Sequence, residues 1–171
     1  MPTASNSDPA PTQLVATSWL HRLLRLWHGL HAVLDGLQPA AALLARAYVA
    51  EAFFKSGLTK LRDWDTTLAL FQDEYKVPLL PPNVAAVMGT GGELVLPVLL
   101  VLGLGGRLGA LGLSVVNVVA VVSLSEIAPA ALQQHITWGA LLAGLAVFGS
   151  GRWSLDAWLL RHLPQNMLAC R

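Results

Sequence analysis

The stretch N-V-A-A-V-M-G-T-G-G-E-L-V-L-P-V-L-L-V-L, residues 83–102, decides the fold class. It contains twenty residues, and Glu93 is the single charged residue among them. The hydrocarbon core of a bilayer is about 30 Å thick, which an α-helix crosses in about 20 residues. The stretch is therefore predicted to be a transmembrane helix.

Three further stretches of similar length and character flank it, at 40–60, 106–124 and 132–150, with Pro39 expected to start the first. Because lipid offers no partners to backbone N–H and C=O groups, such spans are expected to be helical. The sequence thus predicts an all-α fold, an integral membrane four-helix bundle over residues 39–150. A short surface helix is expected at 63–75, in the longer loop 61–82 after the first span.

The composition is typical of a membrane protein of one domain. Of the 171 residues, 54% are hydrophobic and 12% are charged, whereas soluble domains average about 25% charged residues. The formal net charge of +1 provides no basic surface, so a nucleic-acid partner is not expected. A single cysteine, Cys170, excludes an internal disulfide framework, and no metal site is expected.

The two ends of the chain differ from the predicted spans. Residues 1–18 are rich in Pro, Ser and Thr and lack Lys and Arg, which predicts a disordered tail. Residues 19–38 predict an amphipathic helix at the membrane interface, with Trp19 and Trp27 beside basic side chains. A helix packed on a partner protein is the alternative. Residues 151–171 are expected to form a C-terminal tail on the cytoplasmic interface.

The basic residues near the span ends predict the orientation in the membrane. Lys and Arg number six on the side of both termini and the turn at 103–107, against three on the side of loop 61–82. Because cytoplasmic loops carry the excess of Lys and Arg, both termini are expected in the cytoplasm. In a bacterium this places the chain in the inner membrane, with the lipid bilayer as a partner.

Seven polar or charged residues fall inside the predicted spans, where a charged side chain costs about 2.5–3.5 kcal/mol on insertion scales. Such groups must pair or face a wet interior, so they are candidates for a buried ligand or proton site. No catalytic role is assigned to any of them. They are Arg46, Glu51, Lys55, Lys60, Glu93, Asn117 and His135.

The depths of these residues in the predicted bundle suggest how they pair. Glu51 and Glu93 share a layer near mid-bilayer, and Arg46 lies on the interior stripe of the first helix, in position to meet Glu93. A purely structural Arg–Glu clamp is the competing interpretation. Glu51 and Lys55 are spaced i, i+4 with the acid first, so an intrahelical ion pair is equally expected.

The backbone around Glu93 is predicted to be loosened. Pro97 lacks the N–H that would bond the Glu93 carbonyl, and three glycines precede Glu93 closely. This combination favours a ligand or proton site, with close helix packing as the alternative explanation of the glycines. His135 is the only histidine in the four spans, so a bis-histidine haem is not expected. It is interpreted either as a hydrogen-bonded residue near the end of its span, at the membrane interface, or as a proton relay toward Glu93.

Two motifs in these spans resemble the DoxX family. The first is R-A-Y-V-A-E-A-F-F-K-S-G-L-T-K, residues 46–60, and the second is E-L-V-L-P-V-L-L-V-L-G-L-G-G-R, residues 93–107. The resemblance extends over roughly residues 40–150. Ser123 and Ser125 stand where the family often has a histidine, and the segment 19–37 is an addition. The polar and glycine positions that match are Arg46, Gly57, Lys60, Glu93 and Arg107.

The resemblance implies a small four-helix inner-membrane protein. One relative in this family is a membrane subunit of a thiosulfate:quinone oxidoreductase, and others are linked to oxidative-stress or methylamine-utilisation systems. One hypothesis is therefore a quinone-interacting subunit of a redox system, with the quinone head between Arg46, Glu93 and Asn117 and electrons supplied by a partner protein. The other is a non-enzymatic module, either an anchor for a soluble partner or a homo-oligomeric pathway for a small solute or proton.

Overall fold

The computed structural model describes residues 11–105 and 107–162. These residues form no strand, so the all-α prediction is confirmed. An isolated antiparallel bridge joins Tyr75 to Leu124. The described helices are α1 (Pro11–Arg62), α2 (Trp64–Asp73), α3 (Pro82–Leu102), α4 (Leu108–Ser123), α5 (Pro129–Phe148) and α6 (Leu155–His162).

The chain divides into two units, one up to Gln38 and one from Pro39 onward. In the first unit all the described residues belong to α1, and several large apolar side chains between Trp19 and Leu37, such as Leu26 and Trp27, are exposed. The described part of α1 starts at Pro11, so the described part of the segment expected to be disordered is helical.

Two further expectations concern the ends of the chain. Pro39 lies inside α1 instead of starting a helix, and the helix continues past the hydrogen bond that this proline cannot donate. Residues 1–10 and 163–171, which belong to the two predicted tails, lie outside the described residues. Within the predicted C-terminal tail, residues Leu155–His162 form α6, an element that the sequence analysis missed.

In the second unit, the four stretches predicted as spans coincide with helices. The stretch 40–60 belongs to α1, and the other three correspond to α3, α4 and α5 to within a few residues. The helix α3 packs against α2 and α4, and α4 packs against α5. The main buried apolar cluster comes from α1, α3, α4 and α5, and it consists of Val49, Phe53, Leu100, Ala110, Leu113, Leu142 and Leu145.

Of the described helices, α3 alone is both long enough and apolar enough to cross a bilayer. It has 21 residues, and the helix α4 is equally apolar in character but shorter, with 16 residues. The structure therefore supports a membrane helix at the stretch that decides the fold class.

The connections between helices follow from local sequence. The helix α2 forms within the predicted 63–75 segment, and Asp63 caps it by accepting a hydrogen bond of 3.0 Å from the Thr66 backbone N–H. The turn between α3 and α4 uses Gly103 and Gly105, whose φ angles of 66° and 69° lie in the left-handed region. The start of α6 contacts this turn, because the Asp156 carboxylate accepts from the Gly105 N–H at 3.2 Å.

The helices α1 and α3 approach each other closely at Gly57. A Cβ atom added there would lie 2.9 Å from Leu94 Cγ and 3.1 Å from Glu93 Cβ, which is too close for a normal contact. Nearer the N-terminus of α1, the Arg46 side chain reaches the carbonyl of Val101, near the C-terminal end of α3. The two helices are therefore antiparallel, and Gly57 lies level with Glu93.

Candidate functional site

A cavity of about 300 Å³ lies between α1, α3, α4 and α5, on the side of the molecule that carries the loop 61–82. Its wall is mainly apolar and includes the aromatic ring of Phe71. The residues that line it come from the last turns of α1, the end of α2 and the segment after it, the first half of α3, the second half of α4 and the start of α5. Its polar lining residues are Ser56, Lys60, Tyr75, Glu93, Ser123 and His135.

The central polar feature of the cavity is the ion pair of Lys60 and Glu93. Lys60 Nζ lies 2.7 Å from Oε1 and 2.6 Å from Oε2 of the carboxylate. The same ammonium group donates to Ser56 Oγ at 3.0 Å, one turn back on α1. The two charged side chains are 18% and 9% exposed, so water screens this pair little. Of the seven candidates, these two therefore form one charged unit.

The partner of Glu93 differs from the one expected, because Arg46 was placed opposite it and Lys60 occupies that position. Side chains in an α-helix lean toward its N-terminus. Since α1 and α3 are antiparallel, Lys60 and Glu93 lean toward each other from neighbouring levels. Depths counted from the backbone alone leave out this lean and the reach of a lysine side chain.

Asn117 and His135 form a second polar pair, between α4 and α5. The Asn117 amide donates from Nδ2 to the His135 backbone carbonyl at 3.0 Å. Its Oδ1 lies 2.7 Å from His135 Nδ1. Because the amide N–H already faces the carbonyl, Oδ1 must be the acceptor and Nδ1 must carry the proton. In the neutral imidazole this contact selects one tautomer, with the lone pair on Nε2.

Two buried polar atoms among the described residues have no hydrogen-bond partner, Thr90 Oγ1 and Trp138 Nε1. The Trp138 ring contacts His135 edge-on, with ring centroids 5.1 Å apart, and Phe53 at 5.5 Å. The imidazole is therefore held by an amide on one side and by an indole on another. This packing restricts the orientation of the ring.

Arg46 lies away from the cavity and is fully buried. Its Nη2 donates to the Trp153 carbonyl at 2.5 Å, and its Nη1 is 3.4 Å from the Val101 carbonyl. The carbonyls in the last turn of a helix lack helical partners and attract cations. Arg46 therefore joins the end of α3 to the segment before α6, and a quinone head between Arg46, Glu93 and Asn117 does not match this geometry.

Glu51 and Lys55 form the intrahelical ion pair that their spacing allows. The two charged atoms lie 2.5 Å apart, and the side chains are 62% and 72% exposed. They point away from the cavity and do not line it. Among the seven candidates, the structure thus brings Lys60, Glu93 and His135 to one cavity, with Asn117 behind His135.

The sequence analysis missed Tyr75, Ser56 and Ser123 as lining residues. Tyr75 follows α2 and is held at the end of α4 by its bridge to Leu124, and the next backbone N–H donates to the Ser123 carbonyl at 2.9 Å. Burial, and then the charges of Glu74 and Glu93, raise the pKa of the Tyr75 hydroxyl above its usual value. A lone tyrosine in a loop gave no signal of this contact.

These features define a helical membrane protein with a partly polar cavity on the side of the molecule that carries the loop 61–82. The family model of DoxX matches residues 41–126, which is half of the chain. The chain belongs to the DoxX family, as the two motifs in its spans suggested. Lys60, Glu93 and Asn117 lie inside the matched segment, whereas His135 lies beyond it. No curated protein and no solved structure matches the chain.

Proposed function

We propose that this chain is a multi-pass inner-membrane protein whose four spans are 40–60, 83–102, 106–124 and 132–150. Family membership and the four helices found at these stretches support the proposal. Both termini lie on the cytoplasmic side, because that side carries six of the basic residues near the span ends against three on the other. The cavity then opens in the outer half of the bilayer, below the loop 61–82.

The chain acts as the membrane subunit of a redox system and binds a quinone in this cavity. The observation that carries the proposal is an apolar cavity of about 300 Å³ that contains the Lys60–Glu93 pair and His135. Ligand sites are typically apolar with a few placed polar groups, and their volumes begin at about 300 Å³. A mainly apolar wall with these few polar groups therefore fits an aromatic headgroup with two oxygens.

Glu93 and His135 lie beside the headgroup, and Phe71 lines the wall near them. A bound quinone supplies a carrier of two electrons and two protons. The chain contributes binding, and sites that hold a proton at the Glu93 carboxylate and at His135 Nε2. Electrons come from a partner protein. Because one relative is a membrane subunit of a thiosulfate:quinone oxidoreductase, a redox protein is the first candidate for this partner.

Purification of the full chain in mild detergent tests this proposal. We expect quinone in the solvent extract at near one equivalent, and its loss in Glu93→Gln. The matched control is Glu51→Gln, which removes a carboxylate of the same membrane region that does not line the cavity, and it should retain the quinone. Absence of quinone from the wild-type extract, together with a co-purifying soluble protein, would support an anchor or a transport module instead.

The Glu51–Lys55 pair favours a contact with a second copy of the chain. These charges are well exposed on the surface of a predicted span, where lipid would leave them poorly solvated. A second copy of the chain offers the same pair of opposite charges and so covers the surface with complementary groups. Native mass spectrometry should show a dimer for the wild type and mainly monomer for Glu51→Leu/Lys55→Leu. A monomeric wild type would contradict the contact between copies.

A further inference from the structure

We propose that the cavity prefers the reduced, hydroxyl-bearing form of its aromatic ligand over the oxidised, carbonyl-bearing form. The inference rests on the proposed function, since it concerns the same cavity and adds which redox form the site holds. It follows from counting which hydrogen-bonding groups in the cavity wall are still free.

The ammonium group of Lys60 has no free donor. An ammonium carries three N–H groups, and Lys60 Nζ has three acceptors, Ser56 Oγ and the two oxygens of Glu93, all within 3.0 Å. A ligand carbonyl could gain one of these N–H groups only by displacing Ser56 or a carboxylate oxygen. All the N–H groups of the strongest donor in the wall are therefore already hydrogen-bonded.

The free groups of Glu93 and His135 are acceptors. Each carboxylate oxygen of Glu93 accepts from Lys60 and keeps a second lone pair. In the neutral imidazole of His135, Asn117 fixes the proton on Nδ1 and so leaves the lone pair on Nε2, for which the described residues supply no donor. Both side chains line the cavity, and both offer a ligand a lone pair.

The hydroxyl groups of the wall do not reverse this balance. Ser123 Oγ donates to the Val119 carbonyl at 2.5 Å, so its free valence is also an acceptor. Ser56 and Tyr75 carry hydroxyls that can rotate to donate or to accept. The cavity thus offers three groups that only accept (Glu93, His135 and Ser123), two that serve either way, and no free group that only donates.

A ligand hydroxyl can donate to Glu93 or His135, whereas a carbonyl in the same place meets another lone pair. Leaving a buried acceptor without a donor is unfavourable. We therefore expect the reduced form to bind about tenfold more tightly, since tenfold corresponds to about 1.4 kcal/mol.

Equilibrium dialysis of the full chain in detergent tests the preference. The probes are a benzoquinone that bears one prenyl unit and its two-electron-reduced form, kept reduced with dithionite under argon. A redox-inert pair, a phenol with the same side chain and its methyl ether, checks that the reductant does not cause the difference. Bound ligand is quantified chromatographically, so that no activity is needed.

The variant His135→Phe should lower the preference for the reduced form, while the affinity for the oxidised form stays within about threefold. His135→Gln, whose amide can rotate to donate, is the second variant should the first fold poorly. The matched control is His162→Phe on the exposed α6, which should keep the wild-type preference. Equal binding of both forms to the wild type, or tighter binding of the quinone, overturns this inference and leaves the proposed function standing. If neither form binds, the proposed function fails as well.

Discussion

The Lys60 ammonium group has all its donors engaged inside the cavity wall, so the loss of an acceptor should reduce the stability of the fold. In Glu93→Gln the neutral amide leaves the lysine charge without its counter-ion at a site that is 18% exposed. We expect the free energy of unfolding to fall by about 1–3 kcal/mol. Thermal unfolding in detergent measures the change.

Two further variants control this prediction. Glu126→Gln removes an exposed carboxylate from the connection between α4 and α5, and it should leave the unfolding temperature unchanged because water solvates that side chain. The double variant Lys60→Met/Glu93→Gln should regain part of the loss, since no buried charge remains unpaired. A double variant whose loss equals the sum of the single losses would show that the two residues do not interact.

Tyr75 reports on the same cavity through its ionisation. Burial and the nearby carboxylates raise the pKa of its hydroxyl. The midpoint of its tyrosinate absorbance should therefore lie above pH 10, since the usual pKa of tyrosine is about 10. Because the folded pKa exceeds the unfolded one, the associated stability is present below about pH 10 and is lost as pH rises through the folded pKa. The difference between the titrations of wild type and Tyr75→Phe isolates this group.

The Glu93→Gln variant should lower the pKa of Tyr75, since one of the negative charges that raise it is removed. A Tyr75 titration that is unaffected by Glu93→Gln would mean that the two groups are farther apart than the structure has them.

At the scale of the helices, Gly57 sets the distance between α1 and α3. Gly57→Ala adds a Cβ atom that would lie 2.9 Å from Leu94 Cγ, and overpacking of this kind costs about 1–3 kcal/mol. Gly144→Ala on α5 is the matched control, because no atom lies within 4 Å of its added Cβ, and alanine is the better helix former. Thermal unfolding should rank Gly57→Ala below wild type and Gly144→Ala at or above it.

Arg46 connects two elements, the end of α3 and the segment before α6. Arg46→Met should leave the carbonyls of Val101 and Trp153 without this donor and loosen α6 from the turn between α3 and α4. We expect faster proteolysis within Leu155–His162, with a loss of stability of about 1–3 kcal/mol. Arg62→Met, at the exposed end of α1, should leave the rate unchanged. An unchanged rate of proteolysis in Arg46→Met would mean that Arg46 does not hold α6 in place.

At the scale of the whole molecule, the orientation in the membrane follows from the charge count. A reporter fused after Gly103 should be active on the cytoplasmic side, and one fused near Pro78 should be active on the opposite side. The control is a Gly103 fusion in a variant with added lysines in the loop 61–82, whose orientation should become mixed. The opposite pattern in the wild type would contradict both the topology and the placement of the cavity in the outer half of the bilayer.

The sequence predicted the helical stretches because apolar runs and prolines mark them locally. The stretch 83–102 and the helix α3 agree to within one residue. The partner of Glu93 could not be derived in this way, since it depends on how Gly57 lets two helices approach and on the lean of two side chains. The cavity could not be predicted either, because Tyr75 reaches it through a loop contact that leaves no periodic pattern.

The bond between Lys60 and Glu93 joins positions that are 33 residues apart in the chain. Among natural variants, neutralising one of these side chains would leave the other as a lone buried charge, which is strongly destabilising. A change at one position should therefore persist mainly when the other changes too. Through the divergence of the family, positions 60 and 93 are expected to be inherited and replaced together, as a single covarying unit.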